Sequence, residues 1–414
     1  MAAPGLDLTQ APPFAAPLRF FLGAPLFLAA AGLLAAADAA WSRDVQALQS
    51  LALVHLLVLG FLGMVMLGAL TQMLPVLAGA PLPGLKGVIR LAHGGLLLGT
   101  PLLAWGLAGG GPLPLTGAGC LLALGLLPFL LATALSLARG RRLDTTRAMA
   151  LALLALAATL ALGLVLLTWL AGLWSPADPA DLLARHALMG LGGWIGILVM
   201  GVAWQVVPML QLTPAYPPAL TRALLLAGAL GLAVILLAPP AWRWAGETLL
   251  ALAALAFAVG TLDRQWRRKR RVPDVTLDYW RLGMACLIAA VLLLPVADEG
   301  RTGVLAGLLF LAGFAVAVVN GMLFKIVPFL AWFHLQAQKG ILAQGLPSMK
   351  DYLPDGRARI QFRLHLAALA CLLGAPFLPW LAVPGGVLLA LSAVWLGMAL
   401  FRAAILFHRQ GGRF

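Results

Sequence analysis

The chain has 414 residues, 62% hydrophobic and only 10% charged, with a mean hydropathy of +0.99. Soluble domains carry about 25% charged and 45–50% apolar residues, so the apolar surplus must face lipid and the chain reads as an all-α integral membrane protein. The net charge of +14 comes in short clusters between apolar runs, as at 139–147 and 264–271. There it marks topology and meets anionic headgroups; nucleic acid is excluded as a partner.

A helix needs about 20 mostly apolar residues to cross the hydrocarbon layer. Dividing the apolar runs at Pro, Gly and charge gives twelve spans: 18–38, 50–77, 88–108, 115–138, 147–171, 183–212, 219–238, 246–263, 277–296, 302–333, 361–379 and 383–407. Basic residues collect in alternate loops: Lys86 with Arg90, Arg139 to Arg147, Arg264 to Arg271, Lys339 to Arg363 and the C-terminal tail. Asp38, Asp44, Asp178, Asp181, Asp298 and Glu299 fall on the other side. This asymmetry predicts a multi-pass protein of a bacterial-type inner membrane with both termini cytoplasmic. Cys120, Cys286 and Cys371 each lie within an apolar run, far apart, and read as free thiols.

The most basic connections follow the fourth and eighth spans and divide a single membrane domain, 1–414, into repeat-like units of roughly 18–138, 147–263 and 277–407. The second span holds Gly60, Gly68 and Gln72-Met-Leu-Pro75, and the sixth Gly190, Gly201 and Gln205-Val-Val-Pro208. The tenth holds Gly307, Gly313, Gly321 and Lys325-Ile-Val-Pro328. The three prolines are 133 and 120 residues apart, which predicts a pseudo-threefold arrangement of four-helix arcs with the second, sixth and tenth helices as equivalent elements.

His55, Met64-Val65-Met66, Pro75, Gly79-Ala80-Pro81 and Arg90 together resemble the second helix and following loop of the catalytic subunit of haem-copper oxidases. Arg185-His186-Ala187-Leu188 with Gly190, Gly193 and Val199-Met200 is similar to a segment of NnrS, a related twelve-helix haem and copper family linked to nitric oxide stress. The resemblance implies haem, of b type, with copper compatible, and a low-spin haem ligand at His55. The oxidase pattern is incomplete: position 190 is Gly where those enzymes carry Tyr, the seventh span has no His, and the tenth has none before His334. Proton-pumping oxygen reduction is therefore not implied.

Intramembrane ionisable residues are expensive, and neutral imidazole is a good iron or copper ligand. His55 and His186 lie near the starts of the second and sixth helices, at similar depth, and are the candidate metal ligands. At 100° per residue, Gly190, Gly193 and Gly201 share the His186 face, where a flat macrocycle has room. Leu59, Leu62, Met66 and Met73 form an apolar wall beside His55. Arg185 and Arg301, on the side poor in positive charge, are candidate partners for haem propionates, with pairing to Asp181 and Glu299 as the alternative. His93, His334, His365 and His408 read as interfacial side chains, and Lys325 as a snorkelling cation. The expected role is electron transfer or nitric oxide and diatomic gas handling with a respiratory redox partner. A secondary transporter and a haem-delivery or respiratory assembly factor are the alternatives, and whether the chain is an enzyme is left open.

Overall fold

A computed structural model describes residues 8–269, 272–340 and 345–414 of the chain. Arg270 and Arg271, in the basic run read as a headgroup contact, lie outside these residues. Twelve long helices occur in order: α1 (Ala15–Ala37), α2 (Leu48–Ala78), α3 (Leu85–Gly110), α4 (Pro112–Arg139), α5 (Asp144–Leu170), α6 (Pro179–Gln211), α7 (Pro218–Leu237), α8 (Pro240–Trp266), α9 (Val275–Val296), α10 (Arg301–Lys339), α11 (Asp355–Gly374) and α12 (Pro379–Arg409). No strand occurs among the described residues. The chain is an all-α, multi-pass membrane protein.

Eleven of these helices are long and apolar enough to cross a bilayer. The exception, α11, has 20 residues, about 30 Å of rise, but carries Asp355, Arg357, Arg359 and Arg363 in its first half. It differs from the expected span 361–379 at both ends. It begins directly after Pro354 and its last residue is Gly374, with Ala375 as a C-cap still in the right-handed helical region and Pro376 next. Leu26, Leu98, Leu131, Leu154 and Leu237 are all more than half exposed, a surface that only lipid satisfies. Trp105, Trp242, Trp244 and Trp380 are 60–65% exposed and sit at helix ends, where amphipathic rings settle at the headgroup level.

The chain divides into two compact units, residues 1–11 with 73–271, and residues 12–72 with 272–414. In the first, α3 meets α4 where Gly95 and Gly125 bring the backbones together, and α7 meets α8 at Gly231 and Gly246. In the second, α1 packs on α12 at Gly32, where a Cβ would lie 2.6 Å from the Ala390 nitrogen. Small residues set these crossings, as expected where no hydrophobic effect separates helix from lipid.

Three helices share one irregularity. A π-helical stretch occupies Leu56–Gly63 in α2, Met189–Ile197 in α6 and Leu309–Val316 in α10, starting 133 and 120 residues apart as the prolines do. The register extends to packing. Gly60, Gly193 and Gly313 sit at the same place in each π stretch and face Phe27, Ala155 and Cys286 of α1, α5 and α9. Gly68, Gly201 and Gly321, further along, face Phe20, Ala148 and Tyr279 of those same partners. The paired residues on α1, α5 and α9 are seven apart in each case, so one helix-pair unit is built three times. Gly193, and not Gly190, is therefore the repeat position in α6, and Gly307 meets nothing within 4 Å.

Candidate functional site

His55 precedes the π stretch of α2 by one residue, and His186 precedes that of α6 by three. Nδ1 of His55 lies 2.7 Å from the Leu51 carbonyl, and Nδ1 of His186 lies 3.0 Å from the Thr159 carbonyl of α5. A carbonyl only accepts, so Nδ1 carries the proton in both rings. An imidazole held by its Nδ1–H on a backbone oxygen is oriented for ligation through Nε2. Both rings are half-buried.

Despite that common tautomer, the two histidines are not equivalent positions. In the repeat register His55 corresponds to Leu188 and Leu308, and His186 to Leu53 and Ala306. The two-residue offset is about 3 Å along the axis but about 200° around it. Depth matches, face does not.

The glycine face expected to leave room beside His186 is filled. Thr159 stands 3.2 Å and Ala155 2.6 Å from where Cβ atoms of Gly190 and Gly193 would be, and Ala148 covers Gly201. The His186 ring itself rests over Gly163, with Cε1 3.0 Å from a Cβ placed there. The glycines serve close helix packing, because α5 is itself small-residue rich where it faces them. Of the residues expected to form a wall beside His55, Leu62 and Met66 are buried and Leu59 and Met73 half-buried, with the π stretch Leu56–Gly63 lying between His55 and Met66.

Arg185 takes the alternative expected for it, pairing with Asp181, and also caps a helix. Its guanidinium donates to Asp181 Oδ2 at 2.6 Å, to the Ile235 and Leu236 carbonyls at 2.7 and 2.9 Å, and to the Ala238 carbonyl at 2.9 Å. These carbonyls close α7, where the negative end of the helix dipole favours a cation. Asp181 also accepts from Arg243 at 2.7 Å, and Arg243 pairs with Glu247 at 3.0 Å. Arg185→Ala is expected to cost about 2 kcal/mol, since four bonds to a nearly buried charge are lost, and a lower melting temperature in detergent checks it. Arg301 stays exposed at the start of α10 and makes no ion pair with a described residue.

Lys325 reaches the start of α9. Its Nζ lies 2.9 Å from Oδ2 of Asp274, the N-cap of α9, whose other oxygen accepts from the Thr276 amide at 2.9 Å. Lys325→Met is expected to loosen this end of α9 by about 1 kcal/mol, seen as faster amide exchange at Thr276.

Two of the histidines read as interfacial are buried. His334 is 9% exposed and stacks on Phe14 at 5.6 Å. His365 is fully buried in the interior of the second unit, beside Tyr279. The sequence hid this because α11 begins at Asp355, which places His365 about 15 Å along the helix. Among the described residues no group of three or more His, Cys, Asp or Glu is arranged to hold a metal ion. The three cysteines are free thiols. No protein-family model and no curated protein matches this chain.

Proposed function

We propose that the protein binds haem within a bacterial-type inner membrane, both termini cytoplasmic, and serves electron transfer or the handling of nitric oxide or a related diatomic gas. The observation that carries this reading is the contact each of His55 and His186 makes through Nδ1 with a backbone carbonyl, at 2.7 and 3.0 Å, the anchoring that ligating imidazoles use. Axial ligation needs one or two such nitrogens and no cluster, so the lack of a three-ligand group among the described residues does not bear on it. Haem iron, when bound, supplies one-electron redox chemistry and, with one axial position open, a place for a gas. The chain's own part is to hold the imidazoles in orientation, to line the His55 side with Leu62 and Met66, and to keep water away. The His186 side fits a macrocycle poorly along its glycine face, which makes His55 the stronger ligand.

Absorbance of the purified protein tests this directly. An intense Soret band is expected, and a colourless protein that takes up no added haem sinks the proposal. The chain lacks the histidines an oxidase needs in its seventh and tenth spans. Oxygen consumption with a reduced donor is accordingly expected to stay at background. A secondary transporter is the second reading, favoured by buried polar side chains without protein partners, including Asn320 and Tyr279. A colourless preparation would leave it as the better account.

A further inference from the structure

Tyr279 of α9 and His365 of α11 are both 0% exposed, deep in the second unit. Neither the phenol oxygen nor either imidazole nitrogen meets a protein partner in hydrogen-bond geometry. Their rings lie 5.9 Å apart, tilted by 48°. The Ala312 backbone, in the π stretch of α10 where carbonyls are displaced from the regular ladder, interacts with the imidazole but outside strict hydrogen-bond geometry. Three helices thus bring a donor–acceptor phenol, an imidazole and a backbone oxygen to one point, walled by Phe362 at 4.7 Å from the Tyr279 ring and by Leu369.

Leaving such groups unpaired in an apolar interior costs about 1–3 kcal/mol each. A guest that both donates and accepts removes that cost, and the surroundings admit only a small one. We infer that Tyr279, His365 and the Ala312 carbonyl form a binding site for an internal water molecule, which links the phenol to the imidazole inside the membrane-spanning region. Three polar partners are what a buried water typically has. A cavity of about 110 Å³, walled by Ala31, Ala35, Leu53, Leu308, Ala312 and Leu372, lies nearby and shares Ala312 with the site. Leu372 stands two turns from His365 on the same face of α11. The inference does not rest on haem, because Tyr279, His365 and Ala312 lie on α9, α11 and α10, not on the helices that carry His55 and His186.

Water-edited nitrogen NMR of the full-length protein in lipid nanodiscs, with labelled histidine and bulk water as the probe, reads the site directly. His365→Asn assigns the signals. His365 ring nitrogens are expected to receive magnetisation from water within milliseconds, and Tyr279→Phe is expected to cut that transfer at least twofold. A His365 ring as dry as the surrounding leucines overturns the proposal. A thermal double-mutant cycle gives a second reading. Tyr279→Phe and His365→Leu should each lower the melting temperature by roughly 2 °C or more, while the double variant should fall by less than their sum, because both singles lose one shared guest. Strictly additive shifts, or singles at least as stable as the parent, refute it, since removing truly unpaired polar groups stabilises.

Discussion

His55→Ala is expected to remove at least half of the haem bound per protein, and the size of the loss separates two arrangements. The Leu51 carbonyl holds its Nδ1–H at 2.7 Å, and truncation to a methyl group deletes the imidazole with little effect on helix propensity. The same change at His186 removes an imidazole anchored on Thr159 of the neighbouring helix. If one iron takes both rings, either variant turns a low-spin spectrum high-spin or loses the cofactor entirely. If two haems are bound, each variant retains about half, with the remaining Soret band unshifted. Pyridine haemochrome per mole of protein, measured beside the Soret position, distinguishes these. Full stoichiometry with an unchanged band in both variants would rule both residues out.

Most of the architecture was legible because it rests on length and hydropathy, which a bilayer enforces one helix at a time. The expected spans agree with the helices to within a few residues except at α8, α10 and α11, where charged or amphipathic turns continue the helix beyond the apolar window. The glycine and proline spacing in α2, α6 and α10 revealed their equivalence, since Pro75, Pro208 and Pro328 keep the offsets that the π stretches keep. The site was less legible. A helix wheel shows that Gly190, Gly193 and Gly201 share a face, but it cannot show whether a cofactor or another helix uses that face. The answer lay in Ala148, Ala155 and Thr159, small residues spaced seven and four apart on α5, which is itself a readable partner pattern. Arg185 was similarly ambiguous: the nearby Asp181 was visible in sequence, whereas the carbonyls at the end of α7 arrive from fifty residues away. His365 was misjudged because its depth depends on where α11 starts, and helix starts are set by capping and Pro354, which hydropathy does not register.

The repeated glycines should be the positions least able to accept a methyl group. A Cβ at Gly201 would fall inside the contact radius of Ala148 Cβ, so Gly201→Ala forces α5 and α6 apart along a seam that also includes Gly193, packed 2.6 Å from Ala155 by the same measure. Overpacking of this kind costs about 3 kcal/mol, against which Ala recovers about 1 kcal/mol of helix propensity. The expected result is a net loss of about 2 kcal/mol for Gly201→Ala, and failure to yield folded protein for Gly201→Leu. Ala148→Gly should restore the melting temperature of Gly201→Ala to within about 1 kcal/mol of the parent, because it moves the glycine to the opposite side of the same contact without changing the spacing. Gly94, in α3, has nothing within 4 Å of where its Cβ would stand. Gly94→Ala should therefore stabilise by up to about 1 kcal/mol, the propensity gain alone. If Gly201→Ala proved as harmless as Gly94→Ala, the α5–α6 seam would be looser than this packing requires. The room denied to a macrocycle beside His186 would then be restored.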